Sequence, residues 1–268
     1  MTRSRFVERD ALTLHALDFG GSGRDVLVLP GITSPAGVWE FVAAPLAREH
    51  RVCVLDLRGR GLSEAPADTT YTLADYAADT AAVIEAMELR WPILLGHSLG
   101  ARIAAAAALA RPDLVDGVIL VDPPLSGPGR PPYPNPLAFY LDGIRAARAG
   151  DATERIRGEH PGWTEAQVRD RVRWLPTCDE RAVAETYANF HSEDFTSLWD
   201  ALAAPILIHG AASPVMPAEA VAELRARNPG ARTIAVEGAG HMIPWDRPDG
   251  FLAAVRDATS AFDRGVVR

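Results

Sequence analysis

Apolar residues in this chain fall into short unbroken runs separated by longer stretches in which apolar and polar positions alternate with helical spacing. Val26-Leu27-Val28-Leu29 is the first run and ends at Pro30-Gly31. Val52-Cys53-Val54-Leu55, Ile93-Leu94-Leu95, Val118-Ile119-Leu120-Val121, Ile206-Leu207-Ile208 and Thr233-Ile234-Ala235-Val236 follow. Runs of this length predict strands buried on both faces. Leu12-Thr13-Leu14-His15-Ala16-Leu17 alternates instead, which predicts an early, half-exposed strand. Amphipathic or Ala-rich stretches of helical length lie between most of the runs, at 38–48, 73–88, 98–110 and 218–227. Strand and helix in repetition predict the α/β class, a mostly parallel sheet flanked by helices.

The repetition fails between Asp122 and about Ala204. Seven of the fourteen residues at 123–136 are Pro, which excludes a central strand or a regular helix there. Residues 137–190 then read as short Arg- and Glu-rich helices carrying Trp163 and Trp174. An insertion at this point sits over the carboxyl ends of parallel strands, where such sheets bind ligands. The expected organisation is a core formed by 1–125 and 204–268, with 126–203 as a helical cap.

A chain of 268 residues suits one core plus one insertion. Its formal charge is -8, and all 27 basic residues are Arg. Without Lys there is neither a Walker A phosphate loop nor a pyridoxal phosphate Schiff base. The acidic balance argues against nucleic acid as a partner. Cys53 and Cys178 stand far apart with no His cluster nearby, so no zinc site and no metal is expected, and a reducing cytoplasm fits. The N-terminal residues reach Glu8 and Asp10 before any long apolar run, which is unlike a signal peptide. The most apolar stretch, 103–110, lies between Arg102 and Arg111 and is far shorter than the roughly 20 residues that span a bilayer. A soluble protein with no membrane partner is the reading.

The candidate chemistry begins at Gly96-His97-Ser98-Leu99-Gly100, where a buried strand runs into Gly-x-Ser-x-Gly and then a helix. That setting predicts a sharp turn presenting Ser98 as a nucleophile. A serine hydroxyl needs a base. Of seven His, His241 lies in a Gly-containing loop after the last strand, and the chain order Ser, acid, His selects it. His97 adjoins the nucleophile and is expected to project away from it. The acid commonly follows the strand after the cap, but there Ser213 occupies the expected position in Gly210-Ala211-Ala212-Ser213. A neutral hydroxyl cannot stabilise an imidazolium as a carboxylate does. Asp122, at the end of the neighbouring strand, is therefore the expected acid, with Glu237 and Asp246 as the other candidates. Backbone N–H groups of Leu99 and of Ile32, in Pro30-Gly31-Ile32-Thr33-Ser34, are the expected oxyanion hole. Asp56-Leu57-Arg58-Gly59-Arg60-Gly61-Leu62-Ser63 reads as a structural turn.

With these segments in place the chain resembles the α/β-hydrolase superfamily over nearly its whole length. Leu29-Pro30-Gly31-Ile32-Thr33-Ser34-Pro35, Val121-Asp122-Pro123-Pro124-Leu125-Ser126-Gly127-Pro128-Gly129-Arg130 and Gly240-His241-Met242-Ile243-Pro244-Trp245-Asp246 are similar to segments of the N-formylmaleamate deformylases of nicotinate degradation. Leu99 departs from the Met of that family, which leaves its backbone role intact. The resemblance implies an α/β-hydrolase fold with a helical cap, no cofactor, and Ser98, Asp122 and His241 as the triad. It also implies hydrolysis of a small anionic amide or ester, N-formylmaleamate giving maleamate and formate. A substrate anion then needs an Arg. Arg130 and Arg102 are the candidates by position, with Tyr133, Trp163 and Trp174 as pocket walls. The competing readings are a carboxylesterase or carbon-carbon bond hydrolase, and a non-catalytic ligand-binding member of the fold. The pattern carries no signal for an oligomeric state.

Overall fold

A computed structural model describes residues 2–263. Among the described residues eight strands form one sheet: β1 (Arg3–Arg9), β2 (Leu12–Asp18), β3 (Asp25–Leu29), β4 (Arg51–Asp56), β5 (Ile93–His97), β6 (Gly117–Val121), β7 (Ile206–Gly210) and β8 (Arg232–Val236). Their order is β1-β2-β4-β3-β5-β6-β7-β8. The β1–β2 and β2–β4 pairs are antiparallel, and every later pair is parallel. β3, β5 and most of β4 and β6 are buried, as continuous apolar runs require.

Two strands depart from the reading above. β1 is a sheet edge rich in charge, with Phe6 exposed, so it gives no apolar run. Charged residues on an edge hinder further pairing, which is why the strand looks unlike its neighbours. β8 closes the opposite edge, and only its last residue, Val236, is buried.

The core helices are α1 (Glu40–Leu46), α2 (Leu73–Ala86), α3 (Leu99–Ala110), α9 (Ala218–Arg227), the short α10 (Ile243–Asp246) and α11 (Pro248–Asp263). α1 packs against α11, and α2 packs against α3. α11 lies outside the elements predicted above, yet Phe251, Val255, Ala258 and Phe262 recur with helical spacing and are buried. Between β6 and β7 come α4 (Leu137–Ala149), α5 (Ala152–Glu159), α6 (Glu165–Trp174), α7 (Glu180–Ser192) and α8 (Phe195–Ala201). Thr164 caps α6 through a reciprocal pair with Gln167, and Gly150 ends α4 in the left-handed conformation. α8 packs against α3 and α9, where Trp199 Nε1 donates to the Leu224 carbonyl at 2.8 Å. α4, α5 and α6, with the Pro-rich segment before them, enclose a cavity at the carboxyl end of the sheet. Among the described residues no helix is long and apolar enough to cross a membrane.

Candidate active site

Ser98 stands between the last residue of β5 and the first of α3, with φ +54° and ψ −116°. A non-glycine residue in that region carries about 1–3 kcal/mol of strain, which only a rigid surrounding maintains. The two motif glycines supply the room. A Cβ on Gly96 would fall 2.1 Å from the Gly100 carbonyl oxygen, and one on Gly100 would fall 1.7 Å from that of Leu29. The Ser98 N–H donates to the Val121 carbonyl at 2.8 Å, tying the turn to the next strand.

His241 Nε2 lies 3.1 Å from Ser98 Oγ, and Nδ1 lies 2.7 Å from Asp122 Oδ2. Asp122 is fully buried immediately beyond β6, also at positive φ (+50°). Its N–H donates to Ile208 at 2.9 Å, and its Oδ1 accepts from Gly210 N at 3.2 Å. Ser213 Oγ donates to Asp122 Oδ2 at 2.5 Å and accepts from Val215 N and Met216 N. Ser213, standing where an acid was expected, is therefore hydrogen-bonded to Asp122, the carboxylate that meets His241. Neither other candidate carboxylate takes that place. Glu237 is exposed, and Asp246 accepts from Gly240 N at 2.9 Å and from Trp163 Nε1 at 3.2 Å, pinning the His241 loop.

His97 lies beside the site, its ring centroid 5.1 Å from that of His241. Its Nε2 bonds to the His241 carbonyl at 2.9 Å, so Nε2 carries the proton. Burial, then the neighbouring His241, push its pKa down to about 3. It is a neutral brace for the loop.

The loop after β3 brings Gly31, Ile32, Thr33 and Ser34 to the cavity wall. Arg60 Nε donates to the Ile32 carbonyl at 3.0 Å, and Arg171 donates to both the Thr33 carbonyl and Thr33 Oγ1. Asp56 organises the turn that carries Arg60, accepting from Ala36 N at 2.6 Å and Leu62 N at 3.0 Å and pairing with His15 at 2.7 Å. Leu99 opens α3, so its N–H has no carbonyl one turn earlier to bond.

The cavity measures about 320 Å³, at the small end for ligand sites. Tyr133 and Trp163 line it. Tyr133 Oη is 3.3 Å from His241 Nε2, and Trp163 stacks between His160 and Trp245. Both candidate anion-binding arginines, Arg102 and Arg130, and one candidate wall residue, Trp174, are elsewhere. Arg102 is fully buried on α3 and donates to the Ser126, Phe190 and Glu193 carbonyls, so it clamps the insertion to the core. Arg130 pairs with Glu223 beside a second cavity of about 330 Å³. Trp174 packs against Gly37, where a Cβ would come within 2.1 Å of its ring.

The cation at the cavity is Arg171, which the reading of the sequence missed. It lies on the same face of α6 as Val168, a turn away, and one turn before Leu175, both buried. That spacing was the available signal, hidden by Arg169 and Arg173 on either side. Burial lowers its pKa, and among the described residues no carboxylate lies within ion-pair distance of it. Among the described residues no group of His, Cys, Asp and Glu could hold a metal ion.

Comparison with known proteins gives a consistent picture. A model of the alpha/beta hydrolase fold family matches residues 26–248. N-formylmaleamate deformylase of Pseudomonas putida is 40% identical over 253 residues, covering 94% of each chain. A crystal structure of N-formylmaleamic acid deformylase from Pseudomonas putida S16 superimposes with a TM-score of 0.88 over 94% of this chain and 100% of the other. The 2-(acetamidomethylene)succinate hydrolase of Mesorhizobium japonicum is 30% identical, covering 96% of this chain and 95% of its own.

Proposed function

Starting from the fact that this chain belongs to the alpha/beta hydrolase fold family, we propose that it cleaves the formyl carbon-nitrogen bond of N-formylmaleamate, giving maleamate and formate. The observation that carries the substrate class is Arg171, a cation with no carboxylate within ion-pair distance among the described residues, in the cavity that Ser98 and His241 face. A relative of 40% identity that deformylates a molecule with one carboxylate supports the pairing. With two of its N–H groups on Thr33, Arg171 keeps others for a bidentate carboxylate contact.

Ser98 Oγ attacks the formyl carbon while His241 Nε2 takes its proton. Asp122 orients the imidazole and stabilises the cation that forms. The N–H groups of Ile32 and Leu99 receive the negative oxygen, reinforced at Leu99 by the amino end of α3. His241 then gives its proton to the departing nitrogen, and water clears formyl-Ser98 by the same steps. Residues 126–203 act as the cap over a core made of 1–125 and 204–268, of which 1 and 264–268 lie outside the described residues. The two unpaired, buried thiols suit a cytoplasmic enzyme.

The test is formate and maleamate release from N-formylmaleamate by the purified protein. Equal amounts of both products are expected, and Ser98→Ala should lower turnover by about 10⁶. Ready cleavage of p-nitrophenyl esters with no formate from N-formylmaleamate would overturn the assignment in favour of a carboxylesterase.

A further inference from the structure

His241 Nε2 faces two hydroxyls, Ser98 Oγ at 3.1 Å and Tyr133 Oη at 3.3 Å. With the ring proton on Nδ1 toward Asp122, one lone pair serves both, and Ser98 must hold it before attack. Tyr133 is nonetheless closely positioned. Its ring packs among Tyr140, Tyr187 and Phe190, and its N–H donates to His191 Nε2. Pro131, Pro132, Pro134 and Pro136 fix the backbone around it. It is only 4% exposed. Burial, followed by its neighbour Tyr140, raises its pKa well above 10, so the phenol is a hydrogen-bond donor and not an acid at working pH.

The atom that leaves during catalysis must come within hydrogen-bond reach of His241 Nε2 to be protonated. Tyr133 Oη already stands at that radius on the cavity side. In N-formylmaleamate the leaving nitrogen belongs to a second amide, so the electron pair released from the carbon-nitrogen bond spreads onto the carbonyl oxygen of that amide. Resting on the proposed formyl-amide chemistry, we infer that Tyr133 is a catalytic residue of the leaving-group step, donating to that carbonyl oxygen while His241 protonates the nitrogen. On collapse of the tetrahedral intermediate the oxyanion pair re-forms the formyl C=O and the carbon-nitrogen bond breaks. The nitrogen takes the proton from Nε2. The phenolic proton stays on Tyr133, its bond strengthening as charge reaches the oxygen.

The test is Tyr133→Phe, which keeps the ring in its aromatic cluster, assayed on two formyl donors. The group leaving N-formylmaleamate is an amide, whereas the group leaving p-nitrophenyl formate is a phenolate needing no proton and offering no amide oxygen. A loss of about 10–100-fold in kcat/KM is expected on the amide, with the ester changed by less than about threefold. Equal losses on both, or no loss on the amide, would overturn the inference. If the wild-type protein released no formate from N-formylmaleamate, the substrate reading would fail. The role of Tyr133 would then be decided on the N-acyl carboxamide and the p-nitrophenyl ester of whichever acyl group the enzyme accepts. A larger loss on the N-acyl carboxamide supports a leaving-group donor, and equal losses refute it. A melting temperature close to wild type separates either outcome from misfolding.

Discussion

Removing one hydroxyl from Ser213 should change the pH dependence of this enzyme more than its turnover. Ser213 Oγ and His241 Nδ1 share one oxygen of Asp122, at 2.5 and 2.7 Å. A hydrogen bond to a charged acceptor contributes about 1.5–3 kcal/mol. While Ser213 draws on Oδ2, that oxygen binds the imidazolium less strongly. In Ser213→Ala the whole of Oδ2 faces His241, so the charged imidazole is favoured. If a third to a half of the bond's worth is transferred, the acidic limb of the kcat/KM profile moves up by roughly half to one pH unit. Turnover on the alkaline plateau should fall by less than about tenfold. Stability should also drop by about 1–3 kcal/mol, because the Val215 and Met216 amides lose their acceptor. The assay is a pH series of kcat/KM beside thermal melts of both proteins. A melting temperature that falls while the acidic limb stays in place would refute the coupling and leave Ser213 a purely structural residue.

Four other outcomes can be checked with the same protein. Asp122→Asn should cost about 10⁴ in kcat, and adding Ser213→Asp should recover a measurable part of it, since the two side chains meet; no recovery in steady-state assays would show that the β7 loop cannot deliver a carboxylate. Arg171→Met should lower kcat/KM on N-formylmaleamate by about 10²-fold, while leaving p-nitrophenyl formate much less affected; equal losses would mean the residue only holds Thr33. Arg102→Met should leave KM near wild type but lower the melting temperature, because three carbonyls lose their donor; a changed KM with unchanged stability would return Arg102 to the substrate site. His97 is neutral when buried and titrates near 6.5 when unfolded, so below that pH the unfolded chain binds one proton more. Its share of stability is therefore present above about pH 6.5 and lost on acidification toward about 3, at about 1.4 kcal/mol per pH unit. His97→Gln should flatten the stability curve in that window, as denaturant titrations would show.

The parallel strands were legible because a strand covered on both faces admits almost nothing but apolar residues, which makes Val26-Leu27-Val28-Leu29 and its counterparts plain. β1 was not legible because an exposed edge selects for charge, and Arg3, Arg5, Glu8 and Arg9 dominate it. Ser98 and His241 could be singled out from the sequence because their local chain conformations demand particular neighbours, such as Gly96 and Gly100 around Ser98. The arginines could not. An Arg side chain is long enough to reach solvent, a carboxylate or a carbonyl from the same backbone position, so proximity in sequence to Ser98 or Asp122 says little about where its head lies. Arg102, four residues after the nucleophile, turns to the insertion, whereas Arg171, far along the chain, reaches the cavity.

With Asp122 at the end of β6, the two sides of His241 are controlled separately. Asp122 and Tyr133 belong to one stretch of chain, with the acid at its root and the hydroxyl beyond several prolines. The root is fixed by the core, through Ile208, Gly210 and Ser213, and Arg102 holds the Ser126 carbonyl soon after it. Tyr133 is instead held by His191 and the aromatic rings of α4 and α7, all within the insertion. Any displacement of the insertion therefore alters what Nε2 meets without disturbing what Nδ1 holds. Substitutions at 131–136 should accordingly change the preference between amide and ester leaving groups, whereas substitutions around Ser213 should change the pH profile. Kinetics on matched amide and ester pairs, repeated across pH for both sets of variants, would expose a failure of that separation as cross-effects of similar size.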